Sequence, residues 1–291
     1  MSPQNNLDAL QAELLIFSAQ GDFAGVARIL SANALPPERC SPALSGAAAT
    51  GCAQCVRLLI PVSDPKAGDS EALAWAARHG HAECVSLLIP VSDPKGDDSQ
   101  ALRLAADNGH AKCVRLLIPV SEPNANNSTA LRWAAGNGHA DCVSLLIPVS
   151  DPNAQHSFAL CLAARNGYAE CVKLLIPVSD PKEGDSHALR LAAANGRIKC
   201  VKLLLPVSAP LIEMKGIVRR VLDLGQAAVL SAMLAHEPNL LDSLNLAAML
   251  DAAVGKKHAD LQSLLRSIIE QQDLDAHLSP SNIATHKPSR L

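Results

Sequence analysis

Along the middle of the chain, small and branched apolar residues recur in two blocks separated by polar runs. In residues 99–127 the first block places Ala101, Leu102, Ala105 and Ala106 at helical spacing; the second does the same with Cys113, Val114, Leu116 and Leu117. The pattern predicts two short helices. Ser99 stands where an N-cap hydroxyl takes a free amide of the first turn. Gly109 stands where a left-handed residue ends the first helix. The second helix is expected from about Ala111 to Ile118, with Pro119 pushing Ile118 out of helical geometry. Residues 120–127 read as a projecting polar turn.

This helix pair is repeated. The segment Cys55-Val56-Arg57-Leu58-Leu59-Ile60-Pro61-Val62-Ser63 returns nearly unchanged at Cys84, Cys113, Cys142, Cys171 and Cys200, a step of 29 residues. Ser41, Ser70, Ser99, Ser128, Ser157 and Ser186 keep the same step, as do the alanine pairs from Ala76-Ala77 to Ala192-Ala193. Helices this short do not hold themselves together, so stacked neighbours must bury what each leaves exposed.

The run 130–146 carries Leu131-x-x-Ala134-Ala135-x-x-Gly138-His139 and Val143-x-Leu145-Leu146, and Asp151-Pro152-Asn153-Ala154 follows it. It resembles an ankyrin repeat with its connecting turn. The resemblance implies an all-α, ankyrin-type solenoid of stacked helix-turn-helix repeats. The family period is about 33, so four residues are missing here, all from the turn. The family's opening Thr-Pro is also replaced by x-Ala, with Ser one position earlier. Short finger turns with weak or absent β-hairpins are therefore expected.

Domain boundaries follow from the period. Residues 1–8 are expected to be disordered, 9–40 to form an N-terminal capping repeat, and 41–210 to form six repeats. Residues 211–274, where the period fails but helix-pair patterning continues, read as degenerate C-terminal capping repeats, the alternative being a separate small helical domain. A Ser-, Pro- and Asn-containing tail, 275–291, is expected to be disordered.

Composition narrows the function. Aromatics make up only 2 % of the chain, which suits thin layers of small aliphatic side chains. A formal net charge of −3 argues against nucleic acid as a partner. The sequence shows no membrane span and no secretory signal, so a cytoplasmic location is expected, with export to a host cell without a cleavable signal as the alternative.

Nine cysteines invite metal or redox readings. Six share one register, one per layer about 10 Å apart, beyond the roughly 7 Å limit for a disulfide. They read as packing residues. Cys52-x-x-Cys55 resembles half a zinc or thioredoxin site, but Cys52 occupies the register of His81, His110 and His139, so it too reads as structural. Those histidines give way to Tyr168 and Arg197 in later layers. They read as hydrogen-bonding residues at the start of the second helix, not as metal ligands. No cofactor or metal is expected, and no catalytic motif is present.

The expected function is protein binding, by a monomer acting as a scaffold or adaptor. In proteins with this resemblance, partners lie on the concave face formed by first helices and fingers. By register that face holds Trp75, Leu104, Trp133 and Leu162, beside Arg103, Arg132 and Arg190, with Arg78, Asp107 and Arg165 one turn on. Large apolar groups beside arginines match interface hot spots, and the arginines point to an acidic epitope on the partner. Two other readings stand beside this one. The shortened units resemble those of bacterial ankyrin-repeat proteins, some of which resemble secreted effectors that act by target binding. An enzyme in the C-terminal helical region is the third.

Overall fold

The computed structural model of the chain describes residues 3–32, 35–209 and 215–278, and among these every regular element is helical. The chain divides into two compact units, Met1–Ala163 with Glu170–Asp180, and Ala164–Ala169 with Pro181–Leu291.

In the first unit the helices come in pairs: α1 (Pro3–Gln20) with α2 (Phe23–Ala32), and α3 (Pro37–Thr50) with α4 (Ala53–Leu59). These are followed by α5 (Ala67–Arg78) with α6 (Ala82–Leu88), α7 (Gly96–Asp107) with α8 (Ala111–Leu117), α9 (Ala125–Gly136) with α10 (Ala140–Leu146), and α11 (Ala154–Asn166) with α12 (Ala169–Leu175). First helices pack in one row, α1 on α3 through to α7 on α9, and second helices α2 to α10 pack in another. Helix α1 begins at Pro3, so residues 3–8 are helical where disorder was expected; eighteen residues in one helix exceed the length needed for stable turns once a face is packed.

The second unit holds α13 (Glu183–Ala194), α14 (Ile198–Leu204), α15 (Lys215–Asp223), α16 (Ala227–His236), α17 (Leu246–Gly255) and α18 (Ala259–Leu278). Here α13, α15 and α17 pack in sequence, as do α14, α16 and α18. Helix α18 runs to Leu278, past the expected boundary at residue 274, and the rest of the tail lies outside the described residues.

The apolar registers fill the core as the periodicity predicts. Leu73, Leu102, Leu131, Leu160 and Leu189 on first helices, and Leu59 to Leu204 on second helices, are inaccessible or nearly so. Each contributes about 1.5–3 kcal/mol relative to exposure. Leu116 is only half-buried, while Cys113, Val114 and Leu117 are inaccessible.

The finger turns differ from expectation in two ways. Pro119 does not push Ile118 out of helical geometry: Ile118 keeps φ −47° and ψ −50°, and Ile118–Val120 continue as a 3-10 turn with Pro in its first turn, where no amide is needed. Then, in five repeats, three consecutive residues take left-handed geometry, φ 44° to 66°: Gly68 to Ser70, Asp97 to Ser99, Asn126 to Ser128, Gln155 to Ser157 and Gly184 to Ser186. Each non-Gly residue costs about 1–2 kcal/mol there, and Gly, Asn and Asp predominate at the first two positions for that reason, the third being Ser throughout.

That turn re-aims the serine. Ser99 is not the N-cap of its own helix; its Oγ accepts the amide of Glu122, 23 residues on, at 2.8 Å. Ser70, Ser128, Ser157 and Ser186 take Asp93, Asp151, Asp180 and Ala209 in the same way. All are buried. The hydroxyl thus closes the far end of each repeat onto its start, and no strand is formed among the described residues.

Candidate functional site

On α5, α7, α9, α11 and α13 one position lies just before the buried alanine pair. It carries Trp75, Leu104, Trp133, Leu162 and Leu191, all partly exposed, while the alanines behind them are inaccessible. Trp133 is 38 % exposed, enough for a partner to cover a large aromatic area. Trp75 donates its indole N–H to Glu71 Oε1 at 3.1 Å, stacks on His79 at 5.7 Å, and carries the Arg78 guanidinium 5.2 Å from its ring centre. Burial, followed by the charges of His81, Arg78 and His110, holds His79 below its ordinary value.

The arginines of this row do two different jobs. Arg103 Nη2 donates to the Asp97 carbonyl at 2.7 Å and pairs with the Asp97 carboxylate at 3.0 Å, while its guanidinium lies 5.8 Å from the centre of the Trp133 ring. Arg132 donates to the Asn126 carbonyl, to Thr129 Oγ1 and to Gln155 Oε1. Both therefore hold the left-handed finger turns, and burial lowers the pKa of Arg132. Asp97, within the left-handed turn itself, is the acid that Arg103 pairs with. Arg78, Arg165 and Arg190 are exposed. Asp107 is half-buried and accepts from Asn137 Nδ2 at 2.6 Å, so it acts between neighbouring repeats.

The histidine register proves to be an inter-repeat joint. His81, His110 and His139 set Nε2 2.9–3.0 Å from the carbonyls of Ala49, Arg78 and Asp107, 32 residues earlier. Each ring lies against a left-handed glycine of the previous repeat; a Cβ on Gly80 would come within 2.5 Å of His110 Nδ1. Arg197 Nε reaches the Arg165 carbonyl in the same manner. In the second unit Gln226 lies on Gly196 and His258 on Gly225.

Sequence reasoning missed a groove of about 640 Å³ in the second unit, lined by Arg190, Leu191, His187 and Asp185 and by Ile217 and Arg220 of α15. Arg190 was legible from the repeat register. Ile217 and Arg220 were not, since the period has failed by then.

A family model of ankyrin repeats matches the chain in three copies, at residues 44–127, 91–156 and 148–212. No curated protein matches it.

Proposed function

The chain belongs to the ankyrin-repeat family, and from that premise we propose that it is a monomeric scaffold or adaptor whose first-helix row docks a partner protein. Ankyrin repeats generally mediate protein–protein interaction. The observation that carries the proposal is the single register of half-exposed Trp75, Leu104, Trp133 and Leu162 over an otherwise sealed core. Exposed Arg78, beside Trp75 in the first unit, favours a partner with acidic side chains, which it would steer more than tighten. Arg103 and Arg132 support the row by fixing the turns beside it. In the same proposal α15–α18 act as closing repeats, supported by the glycine joint that His258 makes on Gly225.

No helix of the described residues is long and apolar enough to cross a membrane, which fits a partner met in water. The test is affinity capture with the full chain against Trp75→Ala/Arg78→Ala/Trp133→Ala, circular dichroism confirming that both fold. A protein held by wild type, released by salt and lost with the variant supports the row. Equal capture by both moves the binding site elsewhere.

A further inference from the structure

The first full repeat departs from the joint used by its successors. Where the next three repeats set a histidine ring on the previous glycine, this one has Cys52, whose Cβ lies 3.6 Å from where a Gly21 Cβ would be. The short side chain reaches the Gly21 carbonyl only weakly, at 3.6 Å. Its sulfur lies instead 2.7 Å from Cys55 Sγ. Two sulfurs at that separation are inside their usual contact distance and less than about 1 Å from the ~2.05 Å of a disulfide bond. All nine cysteines are free thiols, and Cys52 alone among them is not fully buried. Cys55 is inaccessible.

We propose that Cys52 and Cys55 form a thiol–disulfide exchange site whose substrate class is low-molecular-mass disulfides such as glutathione disulfide. Cys52, the less buried of the two residues, attacks one sulfur of the disulfide as a thiolate and expels the first thiolate. Cys55 then gives up its proton and attacks Cys52 Sγ, forming the protein S–S bond and expelling the second thiolate. The protein loses two electrons and two protons; the small disulfide gains them and leaves as two thiols. The order of attack follows from access. It is reinforced by burial and the neighbouring Cys52, which push the Cys55 thiol up to about 12. Cys84, Cys113, Cys142, Cys171 and Cys200 are sealed in separate layers and take no part. The site is independent of the partner-binding row.

The experiment titrates the native full chain in buffers of reduced and oxidised glutathione, traps free thiols by alkylation and reads the intact mass. Wild type is expected to pass from nine free thiols to seven, with peptide mapping placing the lost pair at Cys52 and Cys55. Cys55→Ser should instead keep one glutathione on Cys52, because nothing resolves the mixed disulfide. Cys52→Ser, altered at the less buried position, should keep all of its remaining thiols, and Cys113→Ser should still lose two. Nine thiols surviving excess glutathione disulfide, a lost pair mapping elsewhere, or a stable glutathione adduct on wild type would each overturn the proposal.

Discussion

The regular repeats and the last two helix pairs share one contact and differ in another. In the repeats, a buried serine accepts an amide 23 residues further on, as Ser128 does from Asp151. At α17 the capping group is exposed Asn245, which accepts the amide of Ala248 in its own first turn, 3.0 Å away. The joint of a side-chain ring on a left-handed glycine occurs in both regions, as His110 on Gly80 and as His258 on Gly225. Helix pairs can therefore go on stacking after the strict period is lost, provided the joint is kept. The finger turn needs the whole pattern.

The largest expected effect tests the shared joint. Gly80→Ala brings its Cβ against the His110 ring at a backbone φ of 78°, and should cost about 3 kcal/mol in urea unfolding. Gly225→Ala, at φ 67° with His258 2.5 Å away, should lose a similar amount. A loss below about 0.5 kcal/mol at Gly225 would break the comparison.

The contrast at the caps comes next. Ser128→Ala strands the Asp151 amide beside a buried position and should cost about 1–3 kcal/mol. Asn245→Ala removes an exposed cap and should cost about 0.5–1 kcal/mol. Equal losses would mean that the two caps are not different devices.

A smaller effect, of opposite sign, concerns the left-handed turns. Gln155 is the least suited residue at a position that holds Gly68, Asp97, Asn126 and Gly184 in other repeats. Gln155→Gly should raise stability by about 0.5–1 kcal/mol by thermal unfolding, since the bond it forfeits with Arg132 is exposed. A destabilised variant would show that this bond outweighs the backbone.

The smallest effect is on pH dependence. His79 is held below its ordinary value of 6.5, so the folded chain takes up that proton at lower pH than the unfolded chain does. Its contribution is present above about pH 6.5 and is lost as the pH falls through the lower folded value. Unfolding midpoints measured from pH 7 down to 5 should decline less steeply for His79→Gln than for wild type.

Much of this fold was legible in the sequence, and the reason the rest was not is itself physical. Helix pairs, the left-handed Gly109 and the leucine and alanine core registers follow from spacing within one repeat. The partners of Ser99, His110 and Arg103 do not. In a near-perfect repeat, a neighbour within the same turn and its copies one repeat away are chemically alike, so periodicity cannot say which one a side chain takes. Ser99 had the free amides of its own helix to choose from and took that of Glu122. The candidate row was legible as a register, because exposure repeats with the helix. That Arg103 and Arg132 are committed to finger turns was not, because a left-handed run of Asp and Asn looks in sequence like any polar turn.

The ring-on-glycine joint has a direction. The side chain always belongs to the later helix pair, and the glycine and carbonyl always belong to the earlier one: His81 to Gly51 and Ala49, His110 to Gly80 and Arg78, His258 to Gly225 and Asp223. The serine closures lie within single repeats. As the chain leaves the ribosome, each new helix pair therefore brings its ring to a glycine and carbonyl already translated. Only the serine closures wait, each for an amide 23 residues further on in its own repeat.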